Sequence, residues 1–166
     1  MIKHSRIIDL SHKMVPGKEE YGLELETHNT NDIYPEYEVN SDTWYILQSI
    51  HMGSHCGTHI EFPYHHNKDG LDAGSFPFER LFGDCVLLDY THKSKNEPVS
   101  LEEIQQHNQI INNGDMLLFN FNVSGNYGTE KGHDRPYIEH EAIKWLADTK
   151  KINLIGSDAS GIEIKG

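Results

Sequence analysis

A histidine-rich stretch between His51 and His66 constrains the fold of this chain more than any other feature, and it holds five of the 12 histidines. Alternate residues of an extended strand point to the same face. A helix fits less well, because Gly57 and Thr58 are poor helix formers and Pro63 interrupts a helix. We therefore predict a strand, with a bend at Gly57, that enters a loop at Pro63. Such a strand projects one carboxylate and four imidazoles to one side, those of Glu61, His51, His55, His59 and His65.

The alternating polar side chains indicate a metal site. Imidazole and carboxylate groups together are a common ligand set for a divalent transition metal. A lone histidine is usually a hydrogen-bonded surface or core residue. Packing gives no reason to place four imidazoles and a carboxylate on one face, so the pattern favours metal binding over that simpler interpretation.

The centre of the stretch carries a longer motif. His55-Cys-Gly-Thr-His59-Ile-Glu61-Phe-Pro63-Tyr-His65 resembles the His-x-Gly-Thr-His-x-Asp-x-Pro-x-His signature of the metal-dependent cyclase family, which includes bacterial kynurenine formamidase and isatin hydrolase. Residues 8–12 (Ile-Asp-Leu-Ser-His) resemble the family's opening strand, and residues 154–158 (Leu-Ile-Gly-Ser-Asp) resemble its Gly-x-Asp strand end. The resemblance therefore covers nearly the whole chain.

The resemblance implies a role for each polar position of the motif. His55, His59 and Glu61 are the implied metal ligands, and Glu61 replaces the family's usual aspartate with a longer carboxylate. His65 stands where the family has its catalytic histidine. The implied activity is metal-dependent hydrolysis of an amide or lactam C–N bond in a small aromatic substrate, with His65 as general base and then general acid. Zinc and manganese both suit these ligands.

Other residues near the motif have more than one interpretation. His51 and His66 are expected to have structural roles or to orient the ligands from outside. Asp158 either holds a ligand histidine in its tautomer or caps a turn at a strand end. Cys56 is a candidate thiol nucleophile, but an extended strand turns it away from His55, so packing is its expected role.

Aromatic residues near the motif are candidates for an apolar substrate pocket. Ordinary core packing is nevertheless the expected role of most of them. They are Tyr34, Tyr37, Trp44, Phe62 and Tyr64.

Composition bounds the class of protein. A chain of 166 residues suits one core, so residues 1–166 are expected to form a single cyclase-like domain. The net charge of -12 argues against nucleic acid or an anionic membrane as a partner and leaves a small-molecule substrate. The chain has only two cysteines and no apolar run of signal-peptide or membrane-spanning length, which favours a cytoplasmic location.

Hydrophobic periodicity predicts the secondary structure. Ser100-Leu-Glu-Glu103 is a capping box that predicts a helix to about His107, and residues 138–148 have the apolar spacing of an amphipathic helix. Strands dominate the first half and alternate with helices in the second, which predicts an α/β domain with a mixed sheet. The resemblance implies a swivelling β/β/α fold. Strands are expected at residues 6–10, 21–28, 44–50, 84–90, 115–121 and 152–156.

The end of the chain leaves alternatives open. The resemblance implies that family members continue beyond Gly166, with a further histidine and an acidic residue that complete the metal site. Either a C-terminal segment is missing, or His133, His140 or a neighbouring subunit completes the site, or the chain is a degenerate member. A non-catalytic metal-binding protein is therefore the alternative function. The resemblance also implies a homodimer or a larger homo-oligomer.

Overall fold

The computed structural model describes residues 6–36 and 45–164. The chain divides into two compact units, Met1–Asn67 and Lys68–Gly166. The single domain expected from chain length stays a prediction.

The first unit is built on an antiparallel pair of strands. Strand β1 (Leu23–Asn29) and strand β2 (Ile46–Met52) pair along their full length. Helix α1 (Thr30–Ile33) follows β1 directly, and the Asn29 side chain caps it by accepting a hydrogen bond from the Asp32 N–H. Both strands lie within two residues of their predicted bounds.

Little of the first unit is buried. The alternation of β1 predicts one buried face, yet Leu25 and its register partner Ile50 are 40% and 60% exposed. Among the described residues of this unit, only Leu23, Thr30 and Cys56 are buried. The described part of this unit is therefore a hydrogen-bonded strand pair with few buried apolar side chains.

Two strand predictions in this unit are wrong. Residues 6–10 form no strand, and Ile7 is 89% exposed, because within the described part of the chain no neighbouring strand completes their hydrogen bonds. The histidine-rich stretch is extended only to Met52, where β2 ends. Gly57 has a φ of 66°, and this left-handed backbone cannot continue a strand.

The second unit alternates strands and helices. Its elements are β3 (Cys85–Asp89), β4 (Pro98–Val99), α2 (Leu101–Gln106), β5 (Met116–Asn120), β6 (Tyr137–Ile138), α3 (His140–Asp148) and β7 (Leu154–Ser157). Strands β3, β5 and β7 form a parallel sheet in that order, and β4 and β6 form a second parallel pair. The α/β class is confirmed, with the antiparallel pairing in one sheet and the parallel pairings in two others.

One apolar cluster joins the larger sheet to the helices of the second unit. Phe119 of β5 is 1% exposed, and Ala142 and Leu146, one turn apart on α3, are both 0% exposed. This spacing puts both side chains on the same face of the helix. The predicted amphipathic helix is therefore confirmed, although its first predicted residue, Ile138, belongs to β6.

Helix α2 begins where its capping box predicts. Ser100 Oγ accepts a hydrogen bond from the Glu103 N–H at 3.3 Å, and Glu103 Oε2 accepts one from the Ser100 N–H at 2.9 Å. These bonds satisfy N–H groups that a helix end leaves without intrahelical partners. Helix α3, with 9 residues, is longer than α2, and no helix in the described ranges has the length and apolar character to cross a bilayer.

Candidate metal centre

Two turns bring the polar side chains of the histidine-rich stretch together. At the first, Gly57 has a φ of 66°, which favours glycine, and the Met14 side chain packs against its Cα face, where a Cβ would lie 2.5 Å from Met14 Sδ. At the second, Pro63–His65 form a 3-10 turn in which the His65 N–H donates to the Phe62 carbonyl at 2.9 Å. The sequence pattern predicted that the side chains meet on one face of a strand. They meet instead because these two turns fold the backbone.

Glu61 is the centre of the cluster. Its Oε1 lies 2.9 Å from His55 Nδ1, 3.8 Å from His59 Nε2 and 3.6 Å from His65 Nε2. His55 Nδ1 and His59 Nε2 are 3.2 Å apart. Three imidazole nitrogens thus surround one carboxylate oxygen, and the four side chains remain 30% to 44% exposed.

The backbone fixes which nitrogen of His59 can bind a metal. His59 Nδ1 lies 2.9 Å from the Gly57 carbonyl oxygen. A carbonyl oxygen only accepts, so Nδ1 carries the hydrogen and donates it. The lone pair is then on Nε2, the nitrogen that faces His55 and Glu61. This arrangement matches that of metal-bound histidines, whose other ring nitrogen donates to a carbonyl or a carboxylate.

The spacing of the donor atoms fits a first-row metal ion. One atom each from His55, His59 and Glu61 lie within 4.8 Å of one another. Four ligands at tetrahedral positions around zinc are about 3.3 Å apart, given zinc–ligand distances of about 2.0–2.1 Å. The three separations within this group, at 2.9, 3.2 and 3.8 Å, bracket that value. These residues can therefore hold zinc or a similar divalent ion, which would replace the hydrogen between His55 Nδ1 and Glu61 Oε1.

The remaining histidines of the stretch divide into two cases. His65 and His66 form a second group of donors with Glu61, again within 4.8 Å of one another. His66 was not expected to be a donor from its place in the sequence, although a tight turn after Pro63 is the signal that could have placed it beside His65. His51 lies in β2 opposite Glu24 and belongs to neither group found among the described residues.

Cys56 is buried beside the cluster. It is 3% exposed, and its Sγ lies 3.7 Å from Met14 Sδ. Burial raises the pKa of the Cys56 thiol, and the nearby charge of Glu19 raises it further. A thiol that is buried and disfavoured as thiolate is a poor nucleophile, so these contacts support the packing role.

Asp158 lies in the second unit and caps a loop there. Its carboxylate accepts hydrogen bonds from the backbone N–H groups of Phe121, Val123 and Ser124 at 2.8, 2.7 and 3.2 Å. Of the two roles expected for Asp158, these contacts support the one in which it caps a turn at a strand end. Its influence on a ligand histidine stays a prediction.

The aromatic residues considered for a substrate pocket fall in different environments. Tyr37 and Trp44 lie outside the described residues. Tyr34 and Tyr64 are 45% and 59% exposed, so core packing is not their role within the described first unit. Tyr21, which the sequence did not single out, lies with its ring centroid 5.4 Å from that of His55.

Sequence comparison relates the chain to a family of enzymes. Residues 8–164 match the model of the Cyclase family. Kynurenine formamidase of Erythrobacter litoralis is 29% identical over 148 residues, which is 89% of this chain and 60% of that protein. The chain thus spans less than two thirds of the length of this relative.

Structural comparison finds the same fold in solved proteins. Isatin hydrolase A from Ralstonia solanacearum superposes with a TM-score of 0.74 at 17% identity, over 95% of this chain and 68% of that one. A protein described as a potential metal-dependent hydrolase with cyclase activity gives a TM-score of 0.70 at 25% identity, over 96% of this chain and 70% of that one. The fold that the motif implies is therefore confirmed.

Proposed function

Because this chain belongs to the Cyclase family, we propose that it is a metal-dependent hydrolase that cleaves an amide or lactam C–N bond in a small aromatic substrate. Kynurenine formamidase and the potential metal-dependent hydrolase among its relatives support this reaction class. The chain covers 60% of the formamidase, so the activity of the longer protein enters here as a proposal.

The arrangement around Glu61 carries the proposal. Its carboxylate and the facing nitrogens of His55 and His59 supply one oxygen and two nitrogen donors, which is the ligand set of catalytic zinc sites that contain two histidines and a glutamate. When bound, a zinc or manganese ion acidifies a water molecule and polarises the substrate carbonyl. An ion held by three protein ligands keeps coordination positions open for the water molecule and the substrate carbonyl.

The position of His65 supports the proton-transfer role that we propose for it. Its Nε2 lies 3.6 Å from Glu61 Oε1, so a proton acceptor stands beside the metal ligands. Imidazole both accepts and donates a proton near neutral pH. In the proposed reaction His65 Nε2 accepts a proton from the attacking water and then donates it to the leaving nitrogen.

The aromatic side chains beside the cluster support an aromatic substrate. Tyr21 lies next to His55, and Tyr64, which precedes His65, is 59% exposed. Exposed aromatic rings bind planar substrates by stacking. N-formyl aromatic amines and cyclic aromatic amides are therefore the substrate classes to screen.

We also propose that the protein forms a homodimer or a larger homo-oligomer and that it is located in the cytoplasm. The exposed apolar side chains of the β1–β2 pair support assembly, because contiguous exposed apolar surface is typical of interfaces between chains. Ile46, Ile50 and Met52, at alternate positions on one face of β2, are 45%, 60% and 50% exposed, and Leu25, the register partner of Ile50, is 40% exposed.

The test compares the metal-loaded wild type with His65→Ala. We expect the wild type to hydrolyse one of the two substrate classes, and His65→Ala to lose about 100- to 10,000-fold in kcat while keeping its metal. His92→Ala removes an exposed histidine of the second unit and should behave as the wild type. Hydrolysis retained in His65→Ala would contradict the role of His65. Metal binding without turnover in the wild type would favour the non-catalytic alternative.

Metal content is measured in the same preparations, purified without a histidine tag. Near-stoichiometric zinc or manganese is expected in the wild type and should be lost in the double variant His55→Ala/His59→Ala, which lacks two of three ligands. Metal retained in the double variant would place the ion elsewhere in the chain.

A further inference from the structure

Met14 packs against the turn that separates two of the candidate metal ligands. Its Sδ lies 3.7 Å from Cys56 Sγ, and it fills the space beside Gly57 so closely that a Cβ there would be only 2.5 Å away. Cys56 and Gly57 stand between His55 and His59 in the chain. The side chain of Met14 is therefore a packing support for the backbone that carries these two imidazoles.

The packing of Met14 is linked to a ligand nitrogen through one backbone carbonyl. The Gly57 carbonyl accepts the hydrogen of His59 Nδ1 at 2.9 Å, which leaves Nε2 as the nitrogen that can bind an ion. The same segment is tied to the turn by a second contact, because the His12 N–H donates to Thr58 Oγ1 at 3.0 Å. Loss of a group that orients a ligand histidine typically weakens metal binding about 10- to 100-fold. A change at Met14 that shifts the Gly57 carbonyl should therefore weaken the site.

The two sulfur atoms of this contact differ in their reactivity toward a peroxide. Met14 is 41% exposed, whereas Cys56 is 3% exposed, and burial raises the pKa of the Cys56 thiol. A thiol reacts as its thiolate, but a thioether needs no deprotonation, so Met14 is the sulfur of this pair that reacts first. In that reaction Met14 Sδ forms a bond to one peroxide oxygen, the O–O bond breaks, and the other oxygen leaves as water. The sulfur is oxidised to the sulfoxide and the peroxide is reduced.

We propose that Met14 is an oxidation site at which a peroxide weakens metal binding and so lowers the hydrolase activity. Oxidation turns an apolar sulfur into a polar sulfoxide, in a contact with Gly57 that leaves no room for a Cβ. Hydration of the sulfoxide oxygen draws Sδ away from the turn, because a polar group is costly to bury without a hydrogen bond. The Gly57 carbonyl then loses its packing support beside His59. The effect on activity rests on the proposed function, whereas the effect on metal affinity is measured without it.

Zinc affinity before and after treatment of the full chain with hydrogen peroxide tests the site. Competition with a chromophoric chelator measures the Kd for Zn²⁺, and mass spectrometry of peptides identifies the oxidised residues. We expect Met14 to gain one oxygen and the Kd to rise about 10- to 100-fold. Methionine sulfoxide reductases A and B together should restore the original Kd. Hydrolysis measured at limiting zinc should fall and recover with the affinity.

Two conservative variants show which sulfur is responsible. Met14→Leu keeps an apolar side chain of similar volume and both cysteines, so its zinc affinity should be the same before and after peroxide. Met52→Leu is the matched control, because Met52 is also exposed, at 50%, but lies in β2. Peroxide should weaken zinc binding in Met52→Leu as much as in the wild type.

The outcomes separate this inference from the proposed function. An unchanged Kd in wild-type chains that carry the sulfoxide at Met14 overturns the inference and leaves the proposed function intact. An equal loss of affinity in Met14→Leu also overturns it, because another residue would then be responsible. Zinc binding that weakens on oxidation of Met14, in a chain that hydrolyses neither substrate class, overturns the proposed function and the effect on activity but not the oxidation site.

Discussion

Glu61 is longer by one methylene than the aspartate of the family signature, and this extra length bears on both donor groups. Its carboxylate lies within 4.8 Å of donor atoms in each group. An aspartate would withdraw the carboxylate toward the backbone by about the length of one C–C bond, roughly 1.5 Å. The glutamate therefore helps to place one carboxylate within reach of His55 and His59 and of His65 and His66.

Asp158→Asn separates the two roles expected for Asp158. The carboxylate accepts three backbone N–H groups, and in the variant an amide NH₂ would face one of those donors. We expect the free energy of unfolding, measured by urea denaturation, to fall by about 1–3 kcal/mol. Metal affinity measured in the same variant should stay unchanged if Asp158 only caps the loop. A 10- to 100-fold weaker metal affinity would instead support its influence on a ligand histidine.

Asp148→Asn is the control for that experiment. Asp148 is an exposed residue of α3 that forms an ion pair with Lys144. Such surface pairs contribute about 0–1 kcal/mol. An equal loss of stability in both variants would contradict the structural role of Asp158.

Helix α2 shows how an ion pair reinforces a cap. Lys93 Nζ lies 2.7 Å from Glu103 Oε1, and the Lys93 side chain is 8% exposed. Burial opposes the charged form of Glu103, but hydrogen bonds from Lys93 and from the Ser100 N–H outweigh it. The pKa of Glu103 is therefore lowered. The charge on Glu103 thus stabilises both the N-terminus of α2 and the half of the capping box that Glu103 supplies.

Glu103→Gln should change how stability depends on pH. Because folding lowers the pKa of Glu103, its charge stabilises the fold above the ordinary value of 4.5, and this contribution is lost as pH falls through the lower folded-state pKa. The wild type should therefore be more stable than Glu103→Gln by about 1 kcal/mol at neutral pH, and the difference should shrink below pH 4.5. Urea midpoints over a pH series measure it.

Glu102→Gln is the matched control for the pH experiment. It removes an exposed carboxylate from the same helical turn and leaves the capping box intact. A difference between the wild type and Glu103→Gln that stays constant through the acid range would contradict the stabilising role of the Glu103 charge.

The two units of the molecule differ in what stabilises them. The apolar cluster of the second unit includes fully buried side chains from β5, α2 and α3, among them Leu117, Ile104 and Leu146 at 0% exposure. The first unit buries only three of its described residues and contains the candidate metal ligands. A bound ion should therefore contribute a larger share of the stability of the first unit.

Removal of the metal with a chelator tests this difference. An ion at 100 times its Kd stabilises the folded state by about 2.7 kcal/mol. Hydrogen exchange should therefore become faster in β2 and in residues 53–66 after chelation, while the amides of β5 keep their protection. The double variant His55→Ala/His59→Ala lacks the site, so the chelator should change nothing in it. Equal loss of protection in both units would contradict the expectation.

Local features of this protein were readable from the sequence because they depend on residues close together in the chain. The capping box from Ser100 to Glu103, the amphipathic helix α3 and the approximate bounds of β1 and β2 are confirmed. The ligand types of the candidate site were equally readable, because motif spacing and side-chain chemistry are properties of the chain itself.

Tertiary structure decided how those local features are arranged. Strand parity predicted that the polar side chains meet along one strand. Instead, the left-handed backbone at Gly57 and the 3-10 turn at Pro63 bring them around Glu61. The same limit applies to burial: alternation in β1 predicted a covered face, yet Leu25 is 40% exposed. Periodicity defines which side chains share a face, but only the elements that pack against that face determine whether it is buried.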